Sequence, residues 1–272
     1  NAQQAIDSCR RAVELEPSNV DALNQLGEAC LQAGQQDEAR SALQRSVELV
    51  PEGGSGRYMY LGQLAESDEA LRWFERGVGI LRAERVVLES VSGSRDELQQ
   101  KWVDATQALA IGLCSVAEVY MTDCCDAPDA EAECEKLVGE AMELVSGLDE
   151  QTIVEPYQTT ASLRLSQQRE QEAEPLLLRA LEIAASLEGM QQQPSLEVRS
   201  ALAKMLMEVH RASEALELLQ SLRLEDDESL ELWYLLACAA MQSGELEIAQ
   251  AELQHALQFA ESDACADEQR EW

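Results

Sequence analysis

The chain has 272 residues and a formal net charge of −32, from 52 acidic and 20 basic side chains. This excess of carboxylates argues against direct binding to nucleic acid or to an anionic membrane, since both need clustered lysine and arginine. Hydrophobic residues make up 46% of the sequence, so the chain can bury a core and is not a disordered acidic tail. Aromatic residues reach only 4%, while the helix formers Ala, Leu, Glu and Gln dominate, so the sequence predicts an all-α protein.

The sequence shows no recognisable targeting signal or membrane-spanning segment. The first residues, Asn1 to Glu14, show no secretory motif, and no apolar run approaches the ~18–20 residues that span a bilayer. The eight cysteines are too sparse for a disulfide scaffold, which favours a reducing compartment. We therefore expect no membrane association.

A repeat runs through the chain. Glu16-Pro17 and Val50-Pro51 recur at a spacing of 34, which is the period of the tetratricopeptide repeat. A finer pattern has a small residue, Ala twelve positions later and a large apolar residue four further, as expected where two antiparallel helices cross closely. The segments that fit begin at Gly27, Ala161, Ala203 and Ala237, and two with altered turns begin at Gly62 and Ala117.

In chain order, these signals predict a helix over Ala2 to Glu16, within an N-terminal half-repeat 1–19, and then six helix pairs. Two helices run long, from Asp68 to about Glu89 and from about Asp96 to Asp123, and Asp126 to Glu131 form a solvated bend. The predicted fold is a right-handed superhelical tetratricopeptide solenoid, a single domain over 1–261, followed by an acidic tail over 262–272.

Two segments carry a resemblance to a known family. They are residues 55–82, which begin SGRYMYLGQL with a shortened turn, and residues 113–141, with an inserted Cys- and Asp-rich turn. Together they resemble the fungal dedicated assembly chaperones of the fourth large-subunit ribosomal protein. The resemblance implies a non-enzymatic protein without a cofactor, present in cytoplasm and nucleus. It also implies that a concave groove shields a basic extended loop of the ribosomal protein.

Helix geometry selects the candidate binding residues. The first helix of each tetratricopeptide pair lines the concave side, so inner residues recur at steps of three and four. Of 24 such positions seven are acidic and one, Lys204, is basic, and four are Met, which suits an adaptable groove. The partner-binding candidates are Asp21, Asn24, Glu28, Met59, Glu66, Glu118, Met121, Glu155, Gln158, Glu197, Met207, Glu231, Tyr234 and Met241. The plainer alternative is that the acids are merely solvated and the Met residues pack neighbouring pairs.

Metal binding and catalysis find little support in the sequence. Cys124, Cys125 and Cys134 lack a nearby histidine for a zinc site, because His210 and His255 lie in other repeats. No nucleophile, base and acid come together, and the Gly residues near position 54 lack the Lys of a phosphate-binding loop. We expect neither a metal nor an enzymatic activity.

Other binding functions stay open. A co-chaperone that captures the acidic C-terminus of a heat-shock chaperone needs a clamp of Lys, Arg and Asn, whereas the inner positions offer Lys204 and Asn24 alone. A non-enzymatic scaffold that binds a partner helix on its convex side, or another basic peptide, is a further alternative. The strong like charge predicts a monomer when the protein is free.

Overall fold

A computed structural model describes residues 2–90, 95–148, 152–190 and 193–261. Over these ranges the regular structure is helical and contains no strand, which confirms the predicted all-α class. The helices are α1 (Ala2–Leu15), α2 (Val20–Gln32), α3 (Gln36–Leu49), α4 (Ser55–Gln63), α5 (Ser67–Ser90), α6 (Arg95–Met121), α7 (Ala130–Ser146), α8 (Glu155–Ser166), α9 (Glu170–Ser186), α10 (Leu196–Glu208), α11 (Ala212–Glu225), α12 (Leu230–Ser243) and α13 (Leu246–Glu261).

The predicted helices and their lengths are confirmed with small shifts. α1 ends at Leu15, and the long helices α5 and α6 lie within two residues of their predicted bounds. The solvated bend is shorter than predicted, because α7 begins at Ala130, whose buried side chain starts the packed part of that helix. The predicted tail 262–272 lies outside the described residues.

The chain divides into two compact units, Asn1–Asp149 and Glu150–Trp272. Unit 1 contains α1 to α7, and unit 2 contains α8 to α13. Within unit 1 the helices pack as α2/α3, α4/α5 and α6/α7 with α1 against α2, and within unit 2 as α8/α9, α10/α11 and α12/α13. The six pairs are those that the repeat pattern predicts. That residues 1–261 form one continuous solenoid stays a prediction.

Small residues allow the close helix crossings in unit 1. A methyl group added at Gly27 would lie 2.5 Å from Cγ of Leu43 on the partner helix. In the next pair, a methyl at Gly62 would meet the Phe74 ring at 2.6 Å. Leu43 is fully buried and Phe74 is 5% exposed, so each large side chain fills the space that its glycine leaves. These contacts confirm, in both pairs, the alignment of small and large crossing residues that the repeat pattern predicts. We call this alignment the repeat frame.

The same frame holds in unit 2, except at its last helix. Ala173, Leu177 and Ala180 are fully buried at the crossing of α8 with α9. In the last pair Ala249 is buried, but Leu253 is 45% exposed. The sequence pattern predicts Leu253 as a groove-filling residue. It is exposed because, among the described residues, no further helix covers that side of α13.

Side-chain caps fix where several first helices begin. Asn19 accepts a hydrogen bond from the Ala22 amide at the start of α2, with 3.0 Å between Oδ1 and N. Ser195 caps α10 and Ser229 caps α12 in the same way, each at 3.3 Å. These caps satisfy amides that have no partner within the helix, and so place the first turns from which the inner side chains project.

A buried arginine ties the α2/α3 and α4/α5 helix pairs to the loop between them. Arg57 is 4% exposed and donates from Nη1 to the carbonyl of Ser46 at 3.2 Å and to its hydroxyl at 3.1 Å. Its Nη2 donates to the carbonyls of Val50 and Gly53. The Ser46 hydroxyl in turn donates to Oδ1 of Asn24. This network holds the loop that leads into α4 in place.

Candidate peptide-binding face

The first helices of the pairs carry the candidate binding residues. We call the surface formed by their outward side chains the first-helix face, on α2, α4 and α6 in unit 1 and on α8, α10 and α12 in unit 2. The remaining helices from α3 to α13 are called second helices. The face is described separately for each unit.

In unit 2, α10 and α12 bring acidic and apolar side chains onto one face. Lys204 of α10 lies 2.6 Å from Glu231 of α12, measured from Nζ to Oε1, so the two helices present their outward residues side by side. Tyr234 and Met241 follow Glu231 along α12 and are 61% and 58% exposed. The neighbouring Cys238 thiol raises the pKa of the Tyr234 phenol. The prediction of exposed acidic and apolar groups here agrees with this geometry.

Two further candidates on α10 frame this surface. Glu197 lies in the first turn of α10 and is exposed. Met207 lies in the last turn and is half-buried. An acid at the start of α10 interacts favourably with the positive end of the helix dipole.

The two candidates on α8 form hydrogen bonds with other residues of the protein. Gln158 is only 7% exposed, and its Nε2 donates to the Val198 carbonyl at 2.9 Å, which links α8 to α10. Glu155 is half-buried and accepts the Val154 amide at 3.0 Å, so it caps the start of its own helix. The exposure that the helical spacing predicts for Gln158 is therefore wrong, because α10 packs over that position.

In unit 1 only part of the predicted set lies exposed on the first-helix face. Asp21 and Glu28 are exposed on α2. Burial, and after it the nearby Glu28 carboxylate, raises the pKa of the Tyr60 phenol of α4. Tyr60 was missed, although it lies four residues after Gly56 and fits the helical step as well as the chosen Met59 does.

Three unit 1 candidates are not available on the first-helix face. Asn24 is engaged in the Ser46 and Arg57 network. The Met59 sulfur packs where a methyl on Gly77 would stand, at 2.7 Å, and its methyl group packs near Gly112, so Met59 fills the junction of α4, α5 and α6. Glu66 lies in the turn after α4, where its carbonyl accepts the amides that start α5, and not on a first helix. For Met59, the packing alternative fits the structure better.

On α6, Glu118 is exposed and Met121 is half-buried at the helix end. The neighbouring Tyr120 has a raised pKa, first because of burial and then because of the Glu75 carboxylate. These residues lie next to the inserted turn. Cys134, in the following helix, is buried with its sulfur 3.5 Å from the Ala117 carbonyl, which is the packing position that the repeat frame assigns to it.

The described part of the chain holds no group of three or more His, Cys, Asp or Glu side chains arranged to bind a metal ion. In the same residues, none of the helices is both long and apolar enough to cross a membrane.

Comparisons with known proteins identify the repeats and the relatives. Tetratricopeptide-repeat models match residues 1–54 and 230–263. A probable assembly chaperone of rpl4 from Emericella nidulans is 34% identical over 247 residues, covering 86% of this chain and 57% of the relative. A probable assembly chaperone of rpl4 from Schizosaccharomyces pombe is 33% identical over 241 residues, covering 86% of this chain and 67% of the relative. The chain thus spans between about half and two thirds of the length of these relatives.

A solved structure agrees with this result. The assembly chaperone of RpL4 (Acl4), solved for residues 1–338, has 33% sequence identity and a TM-score of 0.76. The match covers 92% of this chain and 93% of that one. The tetratricopeptide fold inferred from the 34-residue period is confirmed.

Proposed function

This chain belongs to the family of the RpL4 assembly chaperones, and from that membership we propose that it binds a large-subunit ribosomal protein and shields a basic extended segment of it until assembly. The binding surface in this proposal is the first-helix face. The protein acts by binding alone, without catalysis and without contacting nucleic acid directly. It is a monomer when free and acts in cytoplasm and nucleus.

The observation that supports this assignment most directly is the composition of the unit 2 face. Glu197 of α10 and Glu231 of α12 provide carboxylates, and Tyr234 and Met241 provide exposed apolar surface on α12. Carboxylates attract a cationic chain and raise its rate of encounter, but contribute little net affinity where they stay solvated. Tyrosine and methionine add contact area that salt does not screen, and methionine adapts to an irregular chain.

The heat-shock co-chaperone alternative is disfavoured by two contacts. Its acidic ligand would need Lys204 and Asn24 as donors. Lys204 is neutralised by Glu231, and the Asn24 side chain is oriented by the Ser46 hydroxyl, which donates to its Oδ1. A carboxylate-terminated peptide would therefore meet a surface without an available positive charge at these positions.

Calorimetry with the basic extended segment of RpL4 tests the proposal. The variant Glu197→Lys/Glu231→Lys should weaken binding about tenfold or more, because repulsion replaces attraction at two points on the unit 2 face. The control Glu170→Lys/Glu247→Lys changes net charge equally on exposed positions of second helices α9 and α13 and should bind almost as wild type does. Circular dichroism establishes that both variants are folded.

Salt dependence separates the two contributions. Affinity should decrease as salt is added but level off, because the Tyr234 and Met241 contacts are not screened. Equal loss of affinity in the test and control variants would mean that only net charge matters, and the first-helix face would then not be the binding site. An acidic C-terminal peptide serves as the negative control, and its binding with comparable affinity would favour the co-chaperone function instead.

A further inference from the structure

The second helices carry a separate surface that the proposed function does not use. Between α9 and α11 of unit 2 lies a cleft of about 390 Å³, which is within the range of volumes typical of ligand-binding clefts. Its apolar floor is formed by Leu181, Ala184, Ala185 and Leu218. Ala185 is exposed and both leucines are half-buried, so this floor is accessible from solvent.

Neighbouring second helices are elsewhere bridged by arginine–glutamate pairs. Arg82 of α5 reaches Glu140 of α7 at 2.6 Å, and Arg223 of α11 reaches Glu252 of α13. The α9–α11 cleft has such a bridge only where both helices begin, between Arg211 and Glu174 at 2.6 Å. Beyond Leu181 no described ion pair joins α9 to α11, so the cleft stays open along their later turns.

The rim of this open part is negatively charged. Glu188, two residues after the end of α9, and Glu217 of α11 are exposed lining residues. Neither carboxylate has a hydrogen-bond or ion-pair partner within the part of the chain that the structure describes. By contrast, Glu182 and Glu214 at the same cleft are each paired with an arginine three residues away in the chain. Two unpaired carboxylates thus flank an apolar floor.

We propose that the α9–α11 cleft is a second docking site, which takes a cationic amphipathic helix from a partner protein. Aliphatic side chains at helical spacing would rest on Leu181, Ala185 and Leu218, and Lys or Arg side chains on either side would pair with Glu188 and Glu217. Charge complementarity selects this occupant. A second copy of this acidic chain would bring like charges together at the rim, which opposes self-association there. The site does not depend on the proposed function of the first-helix face.

A model peptide tests the site directly. The probe is a peptide of about four helical turns with leucines along one face and lysines and arginines beside them. Carbon-13 methyl spectra of the protein should show shifts at Leu181, Ala184, Ala185 and Leu218. Shifts confined to the Met241 methyl group and the methyl groups near it would overturn the proposal, because the peptide would then be binding the first-helix face. A rearranged peptide of the same composition, with its leucines spread around the helix, should bind at least tenfold more weakly.

Matched variants separate docking from general attraction to an acidic protein. Ala185→Phe fills the floor without changing charge and should weaken peptide binding about tenfold, whereas Ala251→Phe at an exposed position of α13 should not. If Ala185→Phe fails to fold, Glu188→Lys/Glu217→Lys gives the same test, with Glu170→Lys/Glu247→Lys as its charge-matched control. Peptide affinity that none of these cleft variants alters would overturn the proposal. The proposal would also be overturned if the RpL4 segment, added in an amount equal to the peptide, displaced the peptide. Dimerisation of the protein through the cleft would overturn it as well.

Discussion

Lys204 of α10 and Glu231 of α12 form an ion pair across the first-helix face of unit 2, with Nζ and Oε1 2.6 Å apart. Both side chains are about half exposed, at 46% and 64%, so the pair contributes little to stability. Its effect is on charge. In the free protein it neutralises one of the carboxylates proposed to meet a basic partner, and a bound Lys or Arg would compete with Lys204 for Glu231.

Removing that lysine should strengthen binding. Lys204→Gln leaves the Glu231 carboxylate available, so we expect the affinity for the basic RpL4 segment to rise severalfold, by about 0.3–1 kcal/mol. Lys136→Gln is the control, because it removes the same charge from a second helix, where Lys136 pairs with Glu133 at 2.9 Å. Calorimetry at low salt measures both. An equal gain in the two variants would show a long-range charge effect in place of local competition.

Two glycine substitutions should have opposite effects on stability. Gly62→Ala places a methyl 2.6 Å from the buried Phe74 ring and should destabilise unit 1 by about 1–3 kcal/mol. Gly79→Ala lies within α5 with no atom near the added methyl, and should stabilise by about 0.5–1 kcal/mol through helix propensity. Urea midpoints of the two variants provide the comparison. If Gly62→Ala were as stable as Gly79→Ala, the close crossing of α4 and α5 would be wrong.

Asn24 should matter for stability and not for binding. Its side-chain oxygen accepts the hydroxyl of Ser46, which also contacts the buried Arg57. Asn24→Ala should therefore destabilise by about 1–2 kcal/mol, because it leaves a buried hydroxyl with one partner fewer. The affinity for the RpL4 segment should not change within error. Asp21→Asn, on the exposed side of the same helix, is the control, and it should leave the stability unchanged. A loss of affinity in folded Asn24→Ala would restore it as a binding residue.

The pair of Arg199 and Glu225 should make stability depend on pH in the acid range. The Arg199 guanidinium, which is 5% exposed, donates to both carboxylate oxygens at 2.6 Å and holds the pKa of Glu225 below its ordinary value. The unfolded chain has the ordinary value of about 4.3, so near and below that pH it binds more protons than the folded chain. The stabilisation is complete above the unfolded pKa and is lost as pH falls through the folded pKa.

Glu225→Gln tests this pair. It should lower stability at neutral pH by about 1–3 kcal/mol, a range reduced because Glu225 is 42% exposed, and it should flatten the acid part of the stability curve. Glu228→Gln removes the same charge from an exposed position nearby and should keep the wild-type pH profile. Chemical denaturation between about pH 3 and 7 compares the three proteins. Parallel curves for Glu225→Gln and wild type would contradict the depressed pKa.

The candidate face was harder to predict than the helices around it. Glu197, Glu231, Tyr234 and Met241 could be found from spacing alone, because α10 and α12 present those positions to solvent. Gln158 could not, since its burial depends on the neighbouring α10. The choice between Met59 and Tyr60 also failed, because both fit a step of three or four and only the contact of Met59 with Gly77 decides between them.

The sequence by itself determined the helix pairs. The 34-residue period and the recurring small and large residues follow from local geometry, since two helices can cross closely only where a small side chain faces a large one. The tertiary structure decided which outward positions are available to a partner. Burial of Gln158, neutralisation of Glu231 by Lys204 and the open cleft between α9 and α11 all arise between different helix pairs. A repeat pattern fixes the packing within each pair, whereas long side chains that reach between pairs leave no periodic trace in the sequence.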